Sequence, residues 1–110
     1  MGPNADPAGA ALFVEEYARV PEVTYRAAVQ CLVTFDERAN LAAIKIPVLC
    51  LAAEHDGNAP PPVLEKMAGK IPGARYICLP GLSHMPNLEA PQLFNTAIFD
   101  FLDYALSPAF

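Results

Sequence analysis

Two stretches of this 110-residue sequence carry side chains that could perform acid–base chemistry. The first, residues 54–57, contains Asp56, and the second, residues 81–86, contains His84. A carboxylate that accepts the Nδ1–H of an imidazole holds the ring in one tautomer and stabilises the imidazolium. A histidine held in this way acts as a general base toward a hydroxyl or a thiol. The two stretches therefore predict an acid–histidine pair that activates a nucleophile.

The segments before these two stretches are typical of buried strands. Residues 46–53 form a continuous apolar run, as a parallel strand covered on both faces requires, and residues 74–79 form a second one. Pro61 opens a helical pattern between the strands, and Pro91 opens a longer amphipathic helix after them. The pattern predicts strand–helix–strand–helix with parallel strands joined by a right-handed crossover. Asp56 and His84 would then meet at the carboxyl ends of neighbouring strands.

The first 44 residues are predicted to be mainly helical. We expect residues 1–10 to be a mobile N-terminus, residues 11–19 to form a short helix, and a second helix to start after Pro21. The second helix should bury one face, because its apolar residues recur three and four positions apart. A short helical turn then leads to Pro47, and residues 107–110 form a tail.

Residues 36–104 resemble the C-terminal part of the α/β-hydrolase family. Asp56 in the run AAEHD matches the setting of the family's catalytic acid, and His84 in PGLSHMPNLEAP matches that of its catalytic histidine. The order is also the family's, with the acid before the histidine. The resemblance implies a partial α/β-hydrolase fold over residues 45–106, preceded by cap-like helices over residues 11–44. It also implies that Asp56 and His84 are the catalytic residues and that no cofactor is needed.

The family's nucleophile elbow, G-x-S-x-G on a strand-to-helix turn, is absent from this sequence. The sequence contains two serines: Ser83 adjoins His84, and Ser107 lies in the predicted tail. Cys50 and Cys78 fall inside the predicted strands rather than on an elbow. The resemblance therefore implies part of a serine-type hydrolase of ester, lactone or similar carbonyl substrates. This part supplies the acid and the histidine but no nucleophile, so we expect it to be inactive alone.

Composition excludes several other classes of function. Seven Lys and Arg against twelve Asp and Glu give a net charge of −5, which disfavours binding to nucleic acid or to an anionic membrane surface. Two histidines and no CxxC spacing give little support for a metal site. The three cysteines are odd in number, and two lie in apolar runs, which favours a reducing, cytoplasmic setting.

A non-enzymatic function is the alternative. Two parallel strands leave the outer edges of the sheet open and apolar, and such edges pair with other chains. The sequence is thus also compatible with a self-associating or binding module built from half of a hydrolase fold. The expected partner is either a second copy of the chain or the missing N-terminal half of a hydrolase domain.

Overall fold

The computed structural model describes residues 1–108, so the last two residues of the predicted tail lie outside the described part. A 3₁₀ helix at Arg38–Ala43 forms the predicted turn before Pro47. The other elements are α1 (Pro7–Ala18), α2 (Glu22–Thr34), β1 (Leu49–Ala53), α3 (Pro61–Lys70), β2 (Arg75–Leu79), α4 (Pro86–Glu89) and α5 (Pro91–Leu106). The prolines that open α3 and α5 stand where predicted, because proline at the first helical turn loses no intrahelical hydrogen bond.

The two strands pair in parallel, as the sequence predicts, with Leu49 opposite Arg75 and Ala53 opposite Leu79. Side chains alternate between the two faces of the sheet, and each face is covered by a helix. On one face Cys50 packs with Ala68 and Ile71 of the α3 region. On the other, a cluster of Ala53, Leu79 and Leu82 packs against Phe94 and Ala97 of α5. This arrangement confirms the predicted order of strand, helix, strand and helix with the two strands parallel.

The free edge of β1 has no strand beside it within residues 1–108. The Arg75 N–H donates to the Val48 carbonyl at 2.9 Å, and the Glu54 N–H donates to the Leu79 carbonyl at 3.0 Å. In a parallel ladder, alternate residues bond to the same neighbour. The backbone N–H and C=O groups of the even-numbered residues of β1 therefore point toward β2. The N–H groups of Leu49, Leu51 and Ala53 point toward the open edge.

The N-terminal region differs from the predictions in two respects. Helix α1 begins at Pro7, four residues earlier than predicted, and the Asp6 carboxylate caps it by accepting the Gly9 N–H at 2.8 Å. It also packs closely on α4, since a Cβ at Gly9 would lie 1.8 Å from the Leu88 carbonyl oxygen. Whether residues 1–10 are mobile stays a prediction.

The second difference concerns α2, for which the prediction of a buried face is wrong. None of its residues is buried, and Val23 and Leu32 are 76% and 74% exposed. The apolar periodicity is helical as expected, but no element among the described residues covers this face. That α1 and α2 act as a cap stays a prediction.

The segment between β2 and α5 contains a short further helix. This helix, α4, occupies Pro86–Glu89 and begins two residues after His84. None of the described helices is both long and apolar enough to cross a bilayer.

Candidate active site

Asp56 is fixed at the carboxyl end of β1 by its own loop. Its Oδ1 accepts the N–H of Asn58 at 2.8 Å and the N–H of Ala59 at 3.1 Å. An aspartate that bonds to the backbone two residues ahead makes a tight turn, which fits the turn-forming residues of this loop. The side chain is therefore held in one orientation and is only 10% exposed.

His84 follows β2 and reaches Asp56 across the end of the sheet. Its Nδ1 lies 3.0 Å from Oδ2 and 3.1 Å from Oδ1 of Asp56. With Nδ1–H donated to the carboxylate, Nε2 is the nitrogen left to accept a proton. The His84 side chain is 54% exposed, so a reacting group could approach the ring. The structure thus brings the two sequence-predicted residues together in the geometry of an acid–histidine pair.

The loops that carry the pair are tied to each other through Glu54. Its Oε2 accepts the Gly81 N–H at 2.7 Å, and the His55 N–H donates to the Leu82 carbonyl at 2.8 Å. Gly81 has a φ of +71°, a conformation that glycine adopts without the steric cost of a side chain. These bonds fix the spacing between the two strand ends. Glu54 therefore has a structural role, because it links the loop after β1 to the loop after β2.

Burial and hydrogen bonding act on the pKa of Asp56 in opposite directions. Desolvation raises the pKa, whereas hydrogen bonds from Ala59, His84 and Asn58 lower it, with the charge of the imidazolium acting in the same direction. The net result is a pKa below the ordinary 3.8, so the Asp56 carboxylate is charged at neutral pH.

Stability should therefore fall in acid. Because the pKa of Asp56 is lower in the folded chain, the unfolded chain binds more protons there, and stability is lost as pH falls through the folded pKa. We expect the urea midpoint, followed by circular dichroism, to be lower near pH 3 than near pH 6. D56N should lose less than the wild type over this interval. An equal loss in both proteins would contradict the assigned contribution of Asp56.

Glu89, the last residue of α4, is a further residue at this site that was not among those predicted from the sequence. It is 1% exposed, and its carboxylate accepts hydrogen bonds from Ser83 and Met85, on either side of His84. The available signal was an acidic residue among apolar ones in the run PNLEAP. The Ser83 hydroxyl also bonds to Glu89, at 3.0 Å, rather than to His84.

An apolar groove extends from the Asp56–His84 pair along the free edge of β1. It encloses about 610 Å³ between α3 and α5. Its apolar lining includes Leu51 of β1, Met67 of α3, and Phe94, Ile98, Phe101 and Leu102 of α5. Within residues 1–108, no three His, Cys, Asp or Glu side chains converge as metal ligands would.

Several known proteins with similar sequences or folds are named as hydrolases. RutD of Pseudomonas savastanoi pv. phaseolicola, which is named for carbamate hydrolysis, is 33% identical over 75 residues, or 68% of this chain and 29% of RutD. An esterase from Thermogutta terrifontis has 30% identity and a TM-score of 0.63, over 66% of this chain and 26% of its own. The enol-lactonase from Burkholderia xenovorans LB400 has 37% identity and a TM-score of 0.58, over 61% of this chain and 25% of its own.

No family model matches the sequence. The chain spans only about a quarter of the length of these relatives, namely 29%, 26% and 25%. In sequence and in fold, the chain is therefore related to the C-terminal segment of the α/β hydrolases.

Proposed function

We propose that this chain supplies the acid and the histidine of a serine-type hydrolase that acts on an ester, lactone or similar carbonyl substrate. The observation that carries the proposal is the 3.0 Å contact between His84 Nδ1 and Asp56 Oδ2 at the ends of neighbouring parallel strands. Relatives named as an esterase and an enol-lactonase support the substrate class.

The chemistry of the pair follows from its geometry. Asp56 holds the imidazole so that Nε2 can take the proton from a serine hydroxyl while the serine oxygen attacks the substrate carbonyl carbon. The resulting imidazolium, stabilised by Asp56, gives that proton to the departing alkoxide as the C–O bond breaks. Water then attacks the acyl-enzyme by the same route, and the serine regains its proton.

The serine and the oxyanion hole would come from polypeptide other than this chain. Ser83 is 8% exposed and bonded to Glu89, and the Ser107 hydroxyl donates to the Asp103 carbonyl at 2.5 Å. Neither serine hydroxyl is hydrogen-bonded to the His84 ring. The partner that carries the nucleophile would extend the sheet at the free edge of β1. There its strand would accept hydrogen bonds from the outward N–H groups and would cover the apolar groove. A second copy of the chain is the competing occupant of this edge.

A chimeric enzyme tests the proposed function. Residues 45–106 would replace the matching segment of the B. xenovorans enol-lactonase, which retains its own N-terminal part. We expect this chimera to hydrolyse the enol-lactone, whereas the isolated chain should hydrolyse neither the lactone nor a simple aryl ester above background.

Two outcomes would contradict the proposal. One is a chimera that unfolds cooperatively, and so is folded, yet hydrolyses the lactone no faster than the isolated chain. The other is turnover by the isolated chain that disappears in H84A, which would mean that the chain holds its own nucleophile. The reducing, cytoplasmic setting stays a prediction.

A further inference from the structure

Glu89 is a buried carboxylate that the proposed mechanism does not use. It is 1% exposed and ends the four-residue helix α4, which begins two residues after His84. A buried charge is stable only when hydrogen bonds or opposite charges replace its hydration. The groups that satisfy this carboxylate therefore indicate what the residue does.

Three of these groups belong to the residues on either side of His84. Oε2 accepts the Ser83 N–H at 3.0 Å and the Met85 N–H at 3.2 Å. The Ser83 hydroxyl lies 3.0 Å from Oε2 and 3.1 Å from Oε1, and Gly2 donates its N–H to Oε1. One carboxylate oxygen thus holds the backbone immediately before and after the histidine.

The pKa of Glu89 is consistent with this role. Burial raises the pKa, but the hydrogen bonds from Gly2, Ser83 and Met85 together lower it by more. The pKa of Glu89 therefore lies below the ordinary 4.5. The carboxylate is therefore charged at neutral pH, and charge-assisted hydrogen bonds are stronger than neutral ones. The backbone on either side of His84 is held by bonds of this stronger kind.

We infer that Glu89 is a positioning residue that fixes the backbone of His84 so that its ring stays on Asp56. Its importance for catalysis rests on the proposed function, but the positioning is a property of the isolated chain. A structural role in the core alone would leave the Asp56–His84 contact unchanged in any Glu89 variant that folds.

The titration of Asp56 reports this contact directly. The hydrogen bond and charge of His84 lower the pKa of Asp56, so H84A should raise it. The experiment follows the ¹³C resonance of the Asp56 carboxyl against pH in the full 110-residue chain. We expect E89Q to raise the pKa of Asp56 by a large part of the change seen in H84A. The double variant should show no more than the H84A change, because both substitutions remove the same contact.

Other variants keep the test decisive. E65Q removes an exposed carboxylate of α3 and should leave the Asp56 titration unchanged. If E89Q does not fold, S83A tests the inference instead, because it removes only the hydroxyl that bonds to Glu89. We expect S83A to raise the pKa of Asp56 by less than a folded E89Q would. A folded E89Q, or failing that a folded S83A, with the wild-type titration of Asp56 would overturn the inference.

The outcome does not depend on hydrolysis, because no substrate is present. If the chimera were inactive while E89Q moved the titration, the proposed function would fail and the positioning would stand. If the chimera were active while E89Q left the Asp56 titration unchanged, the proposed function would stand and the positioning role of Glu89 would fail.

Discussion

Replacing His84 with alanine in the chimeric enol-lactonase is expected to lower kcat/KM by about 10³-fold or more. Alanine cannot take the proton from the serine hydroxyl or return it to the leaving group. Removal of a triad base typically costs at least this much. D56N should also lower kcat, by up to about 10⁴-fold, since an amide does not hold the ring in the required tautomer.

Steady-state kinetics of the purified chimera would measure both losses. His55 offers a matched control, because it is the other histidine of the chain and lies beside Glu54, with 3.8 Å between Nε2 and Oε2. H55A should keep kcat/KM close to that of the parent chimera. A chimera whose H84A and H55A variants lose activity equally would remove the grounds for assigning the base to His84.

The free edge of β1 leads to the second large effect, which is on folding and association. Proline lacks an N–H, so its consequence in a strand depends on where that N–H points. The Cys50 N–H faces β2, and its loss should cost about 3 kcal/mol or more. Domains are stable by only about 5–15 kcal/mol in total, so this loss removes a large part of that stability. We expect C50P to be largely unfolded by circular dichroism.

Proline one residue earlier should have a different consequence. The Leu49 N–H faces the open edge, so L49P should retain the fold but lose a hydrogen-bond donor needed to pair with another strand. Light scattering at micromolar concentration should show a self-associating wild type and a predominantly monomeric L49P. C50A and L49A control for the lost side chains and should behave like the wild type in fold and in association, respectively. A wild type that is monomeric and unfolds cooperatively would contradict self-association through this edge.

The positions of the secondary-structure elements could largely be predicted from local sequence. Pro61 and Pro91 restrict the backbone at the starts of α3 and α5, and the apolar run before Asp56 has the composition of a covered strand. The predicted ends of the elements were less accurate than their positions: β1 begins at Leu49, three residues after the predicted start. Pairing with β2 sets that boundary, since a residue belongs to the strand only where the ladder extends.

The buried face predicted for α2 shows the limit of periodicity. Helical spacing of apolar residues indicates which side of a helix would be buried if a surface covered it. It carries no information on whether such a surface exists, and Val23 and Leu32 are exposed among the described residues.

The sequence by itself determined the order of the elements, the parallel pairing and the placement of Asp56 and His84 after neighbouring strands. These features depend on local backbone preferences and on the constraints of a crossover connection. Only the tertiary structure decided that the two side chains, 28 residues apart, meet at 3.0 Å and that Glu89 holds the backbone on both sides of the histidine. Such contacts depend on strand register and helix packing, which arise from interactions between distant parts of the chain.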